Sequence, residues 1–150
     1  TAPDNSHYAM GTGNFTIECW IYPTGAAAYG LIFDQGPAVS DIGFGLKPTT
    51  LQPYLYTGGF VINGSSNAQL NVWQHIALVR NSGTITIYLN GISIGSTSTV
   101  YNYTSQKFMI GGAQDLLNFI KGYIDDFRIS KTARYTSNFT PPTEPFPDLG

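Results

Sequence analysis

The sequence is poor in cysteine, in charge and in uninterrupted apolar stretches, and each shortage closes off a class of protein. A single cysteine, Cys19, excludes an internal disulfide framework and any cysteine-based metal knuckle. Only 11% of the residues are charged, with 7 basic side chains scattered among 9 acidic ones. No basic stripe exists to neutralise phosphates, so no nucleic-acid partner is expected. Gly, Thr or Asn interrupts every apolar run well short of the ~20 residues of a spanning helix, so no membrane insertion is expected either. The opening "TAPDNSHYAM" has no basic-then-apolar leader pattern, and a processed, internal or artificial start is expected.

What is abundant is Thr, Ser, Asn, Gly and Tyr, so the surface is solubilised by hydroxyls and amides, as in secreted and virion-surface β proteins. A length of 150 residues suits one core. Helical periodicity is nearly absent. Short Val/Ile/Thr/Tyr/Phe-rich segments recur instead at the spacing of an all-β, two-sheet antiparallel β-sandwich. The expected strands are 14–22, 29–34, 42–47, 52–57, 59–63, 71–80, 83–90, 92–98, 107–111 and 121–130. Pro53 predicts an edge strand or a bulge.

The strongest local signal is "GTITIYLNGISIGS", where Asn90-Gly91 supplies the two positive-φ positions of a type I′ hairpin turn. Its register pairs Leu89 with Ile92, Tyr88 with Ser93 and Ile87 with Ile94, placing Ile85, Ile87, Leu89, Ile92 and Ile94 on one face. "NVWQHIALVR" is apolar on both faces and predicts a central strand, with His75 a hydrogen-bonded packing residue. In "FTIECWIYP", Phe15, Ile17, Cys19 and Ile21 share a face, which makes Cys19 a buried, inert thiol. After Ser130 the prolines at 141, 142, 145 and 147 forbid helix and ladder, leaving an extended tail. Tyr135, Phe139 and Phe146 either pin that tail across the sandwich or leave it solvated.

The order "GNFTIECWIYP", "WQHIALVR", "ITIYLNGISIG", "IGG" and "GYIDDFRISKTARY" resembles the laminin-G-like, concanavalin A-like lectin/glucanase jelly roll, in its bacterial and phage branch. The match runs over about residues 12 to 135, which implies a jelly-roll domain over 1–135 and a Pro-rich extended tail over 136–150. The resemblance implies two stacked antiparallel sheets, one curved, used for binding glycans or proteins and at times as a spacer in phage tail fibres or adhesins. Family members usually begin with a further Phe-Asp-Gly-type strand, which is missing here. Its absence predicts a bare sheet edge completed by a neighbouring chain or an upstream segment.

Asp125 and Asp126 are neighbours on one strand, so they point to opposite faces and cannot serve one bond as acid and base. The Glu-x-Asp-x-x-Glu pattern of glycosidases on this fold is lacking, since the glutamates Glu18 and Glu144 are isolated in sequence. No enzyme is expected. Period-two alternation puts Asp125 inward beside Phe127 and Ile129, where a carboxylate needs partners. Related jelly rolls often hold a structural calcium at the corresponding aspartate, so the resemblance makes Asp125 a metal candidate; an aspartate fastening a loop by hydrogen bonds remains the other reading. Asp126 goes outward with Ile124 and Arg128, and Glu18 and Arg128 are expected to form a cross-strand ion pair.

Sugar recognition needs aromatic faces and a few amide, hydroxyl or carboxylate partners. Tyr101, Asn102 and Tyr103 in "TSTVYNYTSQ", Tyr54 and Tyr56 in "QPYLY", and the loop or strand-end residues Tyr29, Asp34 and Asp115 meet that description. The sequence therefore predicts a non-catalytic module at an extracellular or virion surface, binding a glycan or surface polysaccharide or a neighbouring protein subunit. The alternatives are an assembly subunit whose sheet edge another chain completes, and a sugar hydrolase or lyase using acids such as Asp34 and Asp115.

Overall fold

A computed structural model of the chain describes residues 6–25, 28–36, 41–114, 118–144 and 146. After a 3-10 turn at Ser6–Tyr8, strands β1 (Phe15–Gly25), β6 (Gln74–Asn81), β7 (Thr84–Leu89), β8 (Ile92–Ser98) and β10 (Lys121–Ser130) form a first sheet in the order β10-β1-β6-β7-β8. Strands β2 (Gly30–Asp34), β3 (Gly43–Leu46), β4 (Pro53–Tyr56), β5 (Phe60–Asn63) and β9 (Met109–Ile110) form a second, in the order β5-β4-β3-β2-β9. Every strand pairing is antiparallel, and all ten expected strands form, two of them, 92–98 and 121–130, with the expected ends and the others with shifted ones. Together they make an all-β sandwich of two five-stranded sheets.

The core lies between the sheets. Phe15, Ile17, Cys19 and Ile21 of β1, with Ile76, Leu78, Ile85, Ile87 and Ile94, meet Ile32, Phe33, Phe44, Leu46, Leu55 and Ile62 of the second sheet. Each such side chain contributes roughly 1.5–3 kcal/mol on burial. Cys19 is enclosed here as expected; burial, with the Glu18 carboxylate adding to it, pushes its thiol far above the ordinary range, so it does not ionise.

Two bulges break the regular ladders read from the sequence alone. In β8, Tyr88 pairs with Ser93, but Ile87 pairs with Gly95, so Ile94 is the extra residue. The Asn90-Gly91 turn keeps its positive φ values of 50° and 78°. Ile94 enters the core as alternation expects, while Ile92, paired with Leu89 at the start of the strand, is left 54% exposed. In β10, Glu18 pairs with Arg128 and Trp20 with Asp125, so Asp126 and Phe127 together oppose Cys19. Asp126 takes φ 47°, and its amide donates to Asp125 Oδ1 at 2.9 Å. Asp125 is therefore exposed, paired with an outward-facing residue, while Ile124 packs against the core. Pro53 is neither at an edge nor in a bulge. It opens β4, which is flanked by β3 and β5, and sits where a strand tolerates proline.

The even-numbered residues of β1 face away from the core, and Glu18 among them is fully buried. The chain's own last segment makes this burial possible. Arg128 Nε and Nη2 donate to Glu18 Oε1 at 2.9 and 2.7 Å, Tyr135 Oη donates to Oε2 at 2.7 Å, and His75 Nε2 lies 3.1 Å from the same oxygen. The expected Glu18–Arg128 pair exists, but as part of a sealed network. Thr16 Oγ1 donates to Thr132 O and accepts from Arg134 N. Phe139 N donates to Gly91 O, and Ser93 N donates to Asn138 Oδ1. The Tyr135 and Phe139 rings stack at 3.5 Å over Ala77, Val79 and Tyr88. The tail is thus pinned; a Cβ at Gly91 would strike the Phe139 carbonyl.

Burial would raise the Glu18 pKa, but the hydrogen bonds from His75, Tyr135 and Arg128 outweigh it and lower the group below its ordinary 4.5. The ionised carboxylate therefore stabilises the fold fully above pH 4.5, and that contribution fades as pH falls through the lower folded value. Replacing Glu18 by Ala leaves Arg128 without its carboxylate partner and is expected to cost about 3–5 kcal/mol in urea unfolding at pH 7. The difference between wild type and variant should shrink on acidification below pH 4.5.

Candidate functional site

The two outer faces of the sandwich differ in what they leave open. On the first sheet the tail occupies the middle. On the second sheet β3 presents Gly43 and Gly45 outward between Leu31 and Asp34 of β2 and Tyr54 and Tyr56 of β4. Gly45 has no room for a side chain, because a Cβ would collide with the Gly30 carbonyl. This glycine floor lets rings from strands that are not neighbours meet across β3. Tyr29, just before β2, lies 5.6 Å edge-on from Tyr54, and Phe60 of β5 lies 5.2 Å from Tyr54 and 5.4 Å from Tyr56. Tyr29 and Phe60 stack at 5.6 Å with an interplanar angle of 25°.

Tyr54 forms the base of this cluster at 3% exposure, whereas Tyr29, Tyr56 and Phe60 remain 37%, 38% and 44% exposed. Burial, then the proximity of Tyr29 and Asp34, raises the Tyr54 phenol far above its usual value, so it stays a neutral hydrogen-bonding group. Lys47 Nζ stands 5.1 Å from the Phe60 ring centroid. Asp34 is held in place by the Gln114 amide, which donates to Oδ2 at 2.8 Å. Exposed aromatic faces and one cation therefore share a single surface, with the buried Asp34 carboxylate at its margin.

Four of the residues chosen from sequence, Tyr29, Asp34, Tyr54 and Tyr56, thus fall on one face. Phe60 and Lys47 escaped the sequence reading. Phe60 was within reach, since the Gly58-Gly59 turn pairs it with Tyr56. Asp115 lies outside the described residues. Tyr101, Asn102 and Tyr103 sit apart on the loop after β8. Tyr103 is a core residue, fully buried, with its ring 6.1 Å from Phe15. Its backbone bridges to Gly11, which fixes its ring inward. Asn102 is exposed, and Tyr101 borders a recess of about 190 Å³ with Thr57, Val61 and Val100. Buried Arg80 holds this loop by donating to the carbonyls of Gly11, Thr99 and Tyr101 at 2.8–3.2 Å.

Asp125 does not point inward as alternation predicts. It is exposed, and one carboxylate oxygen is engaged by the Asp126 amide. Among the described residues no group of three or more His, Cys, Asp or Glu side chains could hold a metal ion. The Glu18–His75 pair has catalytic residue types, but both side chains are fully buried beneath the tail. Among the described residues no helix is long and apolar enough to cross a membrane.

If Tyr103 is core and Tyr101 is surface, their truncations separate in urea unfolding. Tyr103→Ala should cost about 3–5 kcal/mol, as other buried aromatics do, and Tyr101→Ala less than about 1 kcal/mol.

Several solved structures share this arrangement. A candidate carbohydrate binding protein from Bacteroides ovatus superposes with a TM-score of 0.70 at 18% identity, covering 83% of this chain and 39% of that one. Domain 4 of an extracellular GH43 arabinanase from Geobacillus stearothermophilus, in complex with arabinotriose, gives 0.66 at 18% identity over 87% of this chain and 65% of that one. The CBM40 of the Ruminococcus gnavus IT-sialidase, bound to α2,3-sialyllactose, gives 0.64 at 12% identity over 83% and 79%. The chain thus spans under two thirds of the first two. At these identities the likeness shows the fold. No curated protein sequence matches the chain. The family model of the concanavalin A-like lectin/glucanases matches residues 1–137, and the chain belongs to that superfamily.

Proposed function

We propose that the chain is a non-catalytic glycan-binding module, displayed outside the cell on a bacterial surface protein or a phage particle, and that it binds through the outer face of the second sheet. The observation that carries this reading is the exposed trio Tyr29, Tyr56 and Phe60, standing on a glycine floor between Asp34 and Lys47. Sugar rings present axial C–H groups to aromatic faces and equatorial hydroxyls to polar groups at the rim. The glycine floor lets a flat ligand approach the backbone of β3 between those groups. The neighbours in complex with arabinotriose and sialyllactose support a saccharide as ligand. The sealed Glu18–His75 pair supports a binding rather than a hydrolytic role, since no substrate reaches it without displacing the tail.

A glycan array that includes arabinotriose and α2,3-sialyllactose tests this directly. The wild-type chain should bind at least one glycan class, and Tyr56→Ala and Phe60→Ala should each weaken that binding about tenfold or more, or 1.4 kcal/mol. Unaltered binding in the Tyr56→Ala/Phe60→Ala double variant would place the ligand elsewhere.

A further inference from the structure

Among the described residues, the tail covers the middle of the first sheet's outer face and leaves one end of it open. What the described residues leave open there is an aromatic row crossing three strands. Tyr123 of β10 pairs with Tyr22 of β1, their ring centroids 5.9 Å apart, and Trp73, just ahead of β6, lies 5.5 Å beyond Tyr22. Two residue pairs further along, Trp20 rests edge-on against His75 at 5.6 Å and pairs with Asp125. Trp73 is 44% exposed and Tyr123 is 63% exposed. Exposed aromatics this concentrated are uncommon on a β surface otherwise dressed in hydroxyls and amides.

Three properties of the row define what it would bind. First, among the described residues neither the Tyr22 and Tyr123 hydroxyls nor the Trp73 indole N–H has a hydrogen-bond partner in the protein. Each ring therefore offers an apolar face and a free polar tip. Second, the exposed Asp125 carboxylate stands beside the row; its Oδ1 takes the Asp126 amide and its other oxygen can accept from ligand hydroxyls. A carboxylate here disfavours an anionic ligand. Third, the open aromatic area is on the order of 400 Å², judged from the size of such side chains, well below the ~800 Å² per partner of a stable protein interface. The rings also incline to one another by 58° and 61°, so they form a ridged cradle for a narrow ligand rather than a flat pad for a protein surface.

We infer that the row of Tyr123, Tyr22 and Trp73, with Trp20 and Asp125 beside it, is a second binding site for a neutral oligosaccharide, on the sandwich face opposite the glycine-floored one. The two sites are independent, because the whole core separates them. One domain can then engage two strands of a polysaccharide, or two points on one strand, with the gain in avidity that simultaneous contact brings. The site does not depend on the proposed function of the second sheet, although both concern saccharides.

The chain has only two tryptophans, Trp20 and Trp73, and both are at this row. Tryptophan emission therefore reports on it and not on the Tyr29/Tyr56/Phe60 face. Wild-type protein titrated with arabinotriose, cellohexaose, mannohexaose and maltohexaose should show a saturable emission change with at least one of them. That change should persist in Tyr56→Ala/Phe60→Ala, and the affinity it reads should fall at least tenfold in Tyr123→Ala. Binding of the same sugar by Trp73→Ala, followed by calorimetry, should show the corresponding loss while melting stays near wild type. An emission change that disappears in Tyr56→Ala/Phe60→Ala would mean a single site on the second sheet and would overturn the inference. Silence of the tryptophans to all four sugars would overturn it as well, as would concentration-dependent dimerisation abolished by Trp73→Ala. If the Tyr56→Ala/Phe60→Ala protein binds like wild type while Tyr123→Ala does not, the row stands and the second-sheet reading falls.

Discussion

The fully buried carboxylate of Glu18 organises this molecule. Glu18 lies in the middle of β1, on the side of the strand that faces away from the core, where a sandwich of this kind usually meets water. Left uncovered but dehydrated, an ionised carboxylate would cost several kcal/mol. Arg128 from the neighbouring strand, His75 from the other neighbour and Tyr135 from the tail together supply its hydrogen bonds. The tail is therefore part of the fold. Its backbone joins the sheet through Thr16 and Gly91, and its stacked Tyr135 and Phe139 rings roof the polar network. Without that roof the centre of the first sheet would expose Ala77, Val79 and Tyr88 to solvent.

This covering makes the two outer faces chemically unequal. On the first sheet, the described part of the tail covers the middle of the outer face. On the second sheet, glycines at alternate positions of β3 remove the side chains that would separate β2 from β4, and the aromatic rings close over the gap. Both surfaces arise from one principle. Outward-facing strand positions are free of packing duties, and where they carry aromatics instead of Thr or Ser the sequence is placing apolar area in solvent at a cost that a ligand can offset.

Most of the architecture was legible in the sequence because it rests on local signals. The ten strands follow from short apolar segments between turn residues, and the Asn90-Gly91 turn names its own geometry. What failed was strict alternation carried past a bulge. Ile124, Phe127 and Ile129 all contact the core, and their unequal spacing, with two acids in the first gap, already departs from period two. That irregularity is the signature of the bulge at Asp126, which turns Asp125 outward. In β8 no such mark exists, since Ile92, Ser93 and Ile94 alternate as an unbulged strand would. The Tyr54–Tyr56 face followed from alternation in β4, but its union with Tyr29 and Phe60 depends on glycines in a third strand. The Glu18–Arg128 pair was legible, but its closure by His75 and Tyr135, 57 and 117 residues from Glu18 in sequence, was not.

The central claim is that the tail is a structural layer fastened over a buried carboxylate, and amide hydrogen exchange followed residue by residue by NMR tests it most directly. The Arg134 and Phe139 amides donate to Thr16 Oγ1 and Gly91 O. They should exchange orders of magnitude more slowly than an unstructured chain, with protection approaching that of β1 and β6. Exchange of both amides at random-coil rates, with the strands still protected, would show the tail to be free and would contradict the account.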